Sequence, residues 1–216
     1  APIVKTVTGP FPETMMMGFR FPGANTKEAD LLELMNKILY NQKAGLIDLD
    51  LIQKQKVLNA GCEIMICNDY SAHVFSADPK EGQKLEDLKD LLLAEIEKVK
   101  KGEFPDWLLS AIINNMKLEK IKSYESNTGR TDDYVSAFIN GTPWSDYVNH
   151  ITTLSKITKQ EIVDFANKYY NNNYVIVYKR TGQDTTVEKV EKPAINPVET
   201  NRNEQSAFVK KITNTP

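Results

Sequence analysis

The chain is poor in arginine. Of its 27 basic residues only Arg20, Arg130, Arg180 and Arg202 are arginine, and the formal net charge over 216 residues is −2. Forked recognition of phosphate and carboxylate favours arginine, and nucleic-acid binding needs a basic excess or a basic patch. Neither is present, so no nucleic-acid partner is expected. Histidine is scarcer: His73 and His150 are the only two. Neither stands in His-Glu-x-x-His or in the inverted His-x-x-Glu-His, the spacings that bring two imidazoles onto one helix face. A catalytic zinc normally takes three protein ligands, so a site here would have to be gathered from distant residues. A Gly-x-Ser-x-Gly elbow, a Walker loop and a Gly-x-Gly-x-x-Gly turn are all absent, which removes the usual signatures of hydrolases and of phosphate and dinucleotide binding. No apolar run is long enough to span a bilayer, so no direct membrane insertion is expected.

Cysteine is limited to Cys62 and Cys67, both within "GCEIMICND". On a strand their odd spacing sets them on opposite faces. They then share neither a metal nor a disulfide, and the expectation is two buried thiols. No signal peptide is visible. The chain opens on Ala1 and closes on "TNTP", which reads as a fragment of a longer polypeptide.

What is present is ordinary core material. Hydrophobic residues make up 41% and charged residues 26%, as in soluble globular domains. The length suits one large domain, or one domain with tails. Residues 1–13, with Pro2, Pro10 and Pro12, read as an extended lead-in. In "TMMMGFRFPG" the alternation sets Met15, Met17, Phe19 and Phe21 on one strand face and Met16, Gly18 and Arg20 on the other. A helix is predicted from Asn25 or Thr26, with Asn25 and Glu28 as a capping box and Leu31, Leu34, Met35, Ile38 and Leu39 as its apolar stripe. A shorter helical pattern follows Gly45. "CEIMIC" and "AHVFSA", joined by "NDYS", read as a hairpin.

Residues 84–101 form the clearest helix, with Leu85, Leu88, Leu92, Ile96 and Val99 at helical spacing and Gly102 at its C-terminal cap. Further helices are predicted from Pro105 to about Ser126, over Arg130–Asn140, and after Pro143. Thr158 with Glu161 forms a capping box ahead of "EIVDFANKYY", and "YVIVYK" is a β-rich strand. From Arg180 onward the composition is that of a linker, although "QSAFVKKI" could dock locally. The acid pairs Asp48/Asp50 and Asp132/Asp133 flank or begin predicted helices and are expected to be solvated. His73 and His150 are expected as structural or surface residues. Sequence-adjacent strands favour antiparallel pairing, and several amphipathic helices need one sheet face. The fold class expected is therefore α+β: a mostly antiparallel sheet covered by helices on one face.

Two segments carry a family resemblance. "TMMMGFRFPGANTKEADLLELMNKILYNQKAGLIDLDL" resembles the opening of a non-metal-binding domain of the pitrilysin/insulinase zinc metallopeptidases. "LSKITKQEIVDFANKYYNNNYVIVYKR" resembles its end. The resemblance spans Pro12 to Arg180 and implies a two-layer, mitochondrial-processing-peptidase-like sandwich. It places an inactive peptidase-like domain at 14–180, between the lead-in 1–13 and a linker or tail at 181–216. It further implies that zinc and catalysis belong to a sister domain, that no cofactor binds this chain, and that the partners are sister domains and the parent's peptide substrate.

Some inactive domains of this family contact substrate through an Arg and a Tyr seven residues apart. Here those positions fall on Ile52 and Asn59, and no arginine lies between Arg20 and Arg130, so the pair is not expected. The similarity is instead to the second domain of the first half, which completes the wall of the chamber. With no catalytic or metal residue assigned, the function implied is structural. An interaction domain that kept the fold but lost proteolysis is the alternative, and a dispersed enzyme site on His73 or His150 is the third reading. Export of the parent to the cell envelope or periplasm is compatible with the resemblance.

Overall fold

A five-stranded sheet in the order β1-β5-β2-β4-β3 carries the domain. The structure is a computed structural model describing residues 1–183, 191–197 and 204–214. The strands are β1 (Ile3–Gly9), β2 (Thr14–Pro22), β3 (Asn59–Ile66), β4 (Tyr70–Asp78) and β5 (Val175–Thr181). The helices are α1 (Lys27–Leu39), α2 (Leu85–Lys100), α3 (Trp107–Ser123), α4 (Asn127–Ile139), α5 (Trp144–Leu154) and α6 (Lys159–Tyr169). The pairs β2–β4, β2–β5 and β3–β4 are antiparallel, and among the described residues only β1–β5 is parallel. The sheet is therefore mixed but mostly antiparallel, as expected.

The alternation in β2 decides which face is covered. Met15, Met17, Phe19 and Phe21 are buried, whereas Met16 and Arg20 are exposed. The same alternation holds in β4, where Ser71, His73, Phe75 and Ala77 are buried. Facing this layer are the apolar stripes of α1, α2 and α6: Leu32, Leu34, Met35, Ile38, Leu88, Leu92, Ile96, Ile162 and Phe165 are all buried. Each such side chain contributes roughly 1.5–3 kcal/mol by leaving water. Aromatic packing joins strand to helix, with Phe21 stacked on Phe165 at 5.5 Å and Phe19 against Tyr170 at 4.9 Å. The opposite sheet face has no covering layer among the described residues. Met16, Met65 and Val175 stand exposed there beside Arg20 and Glu63.

Several local expectations are corrected. The lead-in contains β1, which joins the sheet edge through a seven-residue parallel register from Ile3↔Val175 to Gly9↔Thr181. The helix α1 is capped by Thr26, whose hydroxyl accepts from the Ala29 amide at 3.2 Å. Asn25 does not form the capping box. It takes a left-handed backbone, φ 60°, and its side chain reaches the Asn140 carbonyl at 2.7 Å and the Thr142 hydroxyl at 2.6 Å. The helical pattern after Gly45 becomes a π-helical turn, Asp48–Ile52, closed by the Gln53 amide donating to the Asp48 carbonyl at 2.9 Å.

The Thr158–Glu161 capping box forms as read, and Gly102 takes φ 70° just past α2. At Pro22-Gly23 the chain passes so close to the β3–β4 turn that a Cβ on Gly23 would lie 1.9 Å from the Asn68 carbonyl oxygen. The Ala24 amide donates to the Cys67 carbonyl at 2.8 Å across that junction.

Residues 1–183 form one compact unit and 184–216 a second. In the second, Ser206 caps a short helix, α7 (Ala207–Thr213), within the predicted "QSAFVKKI". The linker expected over 181–216 lies partly outside the described residues.

Candidate functional site

His73 is fully buried in β4. Its Nε2 lies 3.2 Å from Asn36 Oδ1 and its Nδ1 2.5 Å from the Tyr170 hydroxyl. Asn36 Oδ1 can only accept, so Nε2–H donates to it and Nδ1 accepts from Tyr170. Burial holds the imidazole pKa down at about 3 and pushes the Tyr170 phenol well up. Both groups stay neutral and both are satisfied. This is a strut between β4, α1 and the residue that caps the end of α6, with no face open to a substrate.

His150 is placed differently. It sits on α5 against α1, with Nε2 at 2.7 Å from Glu33 Oε2 and Nδ1 at 3.6 Å from Asp30 Oδ1. The Glu33 hydrogen bond raises its pKa, burial opposes the rise, and the Asp30 charge adds to it. Burial also raises the pKa of Asp30. These groups line a cleft of about 640 Å³ between the start of α1, the α4–α5 loop and α5, with Lys27, Asp146 and Glu161 around it. No local pattern announces this trio, because His150 and Glu33 are 117 residues apart.

A second cleft, of about 820 Å³, runs beside the free edge of β3 and is lined by Asn36, Tyr40, Lys43, Asn59, Glu63 and Glu119. Of the two aligned positions, Asn59 lines this cleft, while Ile52 is partly buried against the core. The two thiols separate as the spacing demands, but only Cys62 is buried. Cys67 is exposed, a correction, because it falls in the turn just past β3 where the alternation has ended.

The acid pairs are corrected in part: Asp132 is exposed as expected, and the other three are not freely solvated. Asp48 is buried, and its Oδ2 accepts from the Asn41 and Gly45 amides at 3.0 Å each, holding the Gly45 loop closed. Asp50 joins Lys98 at 2.6 Å, and Lys98 also reaches the buried Glu95 at 2.8 Å. Asp133 is buried in the second turn of α4 rather than solvated at a helix start. It accepts from the Tyr147 hydroxyl at 2.9 Å and pairs with Lys120 at 2.7 Å.

A zinc ion does not fit these residues. His73 offers no free nitrogen, and both nitrogens of His150 face carboxylates. Among the described residues no group of three or more His, Cys, Asp and Glu side chains is arranged to hold a metal. His73 joins sheet to helix, and His150 and Asp133 join helix to helix. The fold is thus an α+β domain whose polar clusters tie its helices to one another and to the sheet.

Comparison with known proteins places that fold. The family model described as the peptidase M16 inactive domain matches residues 7–116, just over half of the chain. The chain belongs to this family, as an inactive domain of the M16 peptidases. It is similar to the zinc protease PqqE of Helicobacter pylori, with 27% identity over 165 residues, 74% of this chain and 36% of that protein.

Among solved structures, a protease from Helicobacter pylori matches with a TM-score of 0.77 and 22% identity, covering 82% of this chain and 44% of the other. A peptidase M16 inactive domain from Pseudomonas fluorescens matches with a TM-score of 0.70 and 12% identity, covering 84% and 44%. The α+β fold is common to these structures. The chain spans less than half the length of each of these relatives.

Proposed function

We propose that this chain is a non-catalytic wall of the peptide-enclosing chamber of a zinc peptidase. On this reading the zinc belongs to a sister domain of the parent polypeptide, against which this domain packs. The observation that carries the proposal is the sheet with one bare face. Helices bury one side of β2 and β4, while the other side presents Met16, Met65 and Val175 beside Arg20 and Glu63. A mixed apolar and charged surface with extended backbone suits transient contact with peptides of varied sequence. Membership of the inactive-domain family supports the assignment, and the zinc protease similar to this chain supports the chemistry of the parent.

The test is peptide hydrolysis by the parent polypeptide with and without residues 12–180, with zinc content measured in both. Loss of cleavage while the remainder stays folded and metal-loaded is the expected result. Cleavage that survives the deletion, or a parent that never cleaves, removes the chamber role.

A further inference from the structure

Arg20 stands on the bare sheet face without an anionic partner among the described residues. Strand pairing maps that face. Met16 lies between Val177 and Ser76, and Gly18 between Val175 and Val74. Arg20 lies beside Ala72, which has Met65 on its other side. Residues in register across a sheet share a face, so these side chains form one surface. Arg20 is exposed. Its guanidinium rests over the Tyr70 ring, 4.7 Å from the centroid, as a diagonal cross-strand pair. Arg180, by contrast, is bridged to Glu86 at 2.7 Å.

The stack orients Arg20 for a further contact. It covers one flat side of the guanidinium and fixes its plane, while the N–H edge stays free. That edge matches a carboxylate through two parallel hydrogen bonds. Beside Arg20 the strand has Gly18. A Cβ there would meet nothing nearer than the His73 carbonyl oxygen at 3.9 Å, and Gly18 is not among the glycines of positive φ. Neither packing nor backbone requires glycine, and its effect is a dent bounded by Met16, Val74 and Val175. Glycine inside a strand often marks the close approach of a ligand or of another backbone.

We propose that Arg20, braced by Tyr70, anchors a carboxylate of the peptide bound on this face, and that the Gly18 dent takes an apolar side chain two residues away along that peptide. This rests on the chamber reading above and names the substrate class for that surface. Charge favours the assignment: around the centre of the face stand Lys5 and Arg20 against Glu63 alone. Spacing favours it too. Positions 18 and 20 are roughly 6.7 Å apart along β2, the distance between alternate side chains of an extended peptide. A polyanion would need a basic patch, which one arginine does not make. The carboxylate can come from an Asp or Glu side chain or from the peptide's C-terminus.

The test uses the full-length parent polypeptide and three nine-residue fluorogenic peptides. The first has Leu and Glu two residues apart and an amidated end. The second has Gln in place of Glu. The third is the Gln peptide with Leu moved to two residues before a free C-terminus. Kd and KM are measured for the parent and for Arg20→Gln, with thermal melts to confirm equal folding. The expected result is that Arg20→Gln weakens a carboxylate-bearing peptide about tenfold relative to the amidated Gln peptide. Loss with the first peptide assigns a side-chain carboxylate, and loss with the third assigns the C-terminus. Gly18→Val fills the dent and should weaken the Leu peptides several-fold relative to the same peptides with Ala for Leu; an unchanged ratio removes the dent. Equal effects of Arg20→Gln on all three peptides, or binding of none, overturn the anchor. Arg20-dependent binding without any cleavage sinks the chamber reading and keeps the anchor. Cleavage indifferent to Arg20 does the reverse.

Discussion

His73 should make the domain sensitive to mild acid. Its imidazole is fully buried and its pKa is held at about 3. In the unfolded chain it returns to about 6.5. Between those values the unfolded state binds a proton that the folded state refuses. Stability from this group is therefore complete above about pH 6.5 and is lost as pH falls towards 3. The slope approaches about 1.4 kcal/mol per pH unit. Moving from pH 7.5 to pH 5 crosses about 1.5 units of the window and removes about 2 kcal/mol, a large share of a typical 5–15 kcal/mol.

The substitution His73→Gln keeps a hydrogen-bonding side chain near Asn36 and Tyr170 but does not titrate. At pH 7.5 it should cost about 1–3 kcal/mol, because a satisfied buried network is disturbed. That deficit should shrink by about 2 kcal/mol at pH 5. Urea unfolding followed by circular dichroism, at matched ionic strength and several pH values, measures both chains. Carboxylates and His150 titrate in both and cancel in the difference. Parallel stability profiles between pH 7.5 and 5 would refute the buried neutral imidazole.

Three further outcomes are expected. His150 titrates in the opposite sense: its raised pKa means its ion-pair contribution is full below about pH 6.5 and fades as pH rises through the folded value. His150→Ala should therefore cost more at pH 6 than at pH 8.5, and under about 1 kcal/mol because the ring is partly exposed; an equal cost at both pH values would show that the charge plays no part. Lys98→Ala leaves the buried Glu95 carboxylate without its cation and should cost about 3 kcal/mol. Adding Glu95→Gln should restore much of that in a double-mutant cycle, and strictly additive losses would count against the pair. Gly23→Ala drives a Cβ into the Asn68 carbonyl and should cost at least about 2 kcal/mol, or about 4–8 °C in Tm for a domain of this size. A melting curve that matches the parent's would mean the β3–β4 turn can move aside.

Elements with strong local periodicity could be read directly from the sequence. The alternation of Met15 to Phe21 and the stripe from Leu85 to Val99 each state which side is buried. The Thr158–Glu161 box needs only a four-residue window. What escaped depends on partners distant in the chain. The strand β1 has exposed residues along nearly all its length, so no buried face marks it, and its strand character comes from pairing with β5. Asp48 reads as a surface acid until the Gly45 loop folds back and turns two amides towards it. Asn25 fits a capping pattern, but its side chain is claimed by the α4–α5 loop more than 110 residues later, at 2.7 Å from the Asn140 carbonyl. The family was legible in the two end segments, whereas no local pattern announced the His150 cluster.

The strand order also constrains how the chain is made. β5 lies between β1 and β2, so the last strand of the sheet to leave the ribosome must enter beside two of the earliest. Ile3 and its partner Val175 are separated by 172 positions, roughly 10–30 s of synthesis at about 5–20 residues per second. During that interval β2, β3 and β4 can assemble with α1 and α2, while β1 has no neighbour and β2 carries an open edge. Such an edge invites pairing with other nascent chains. The unfinished domain therefore depends on whatever shields β2 until β5 arrives, and a nascent chain stalled within α6 is the form most exposed to misassembly.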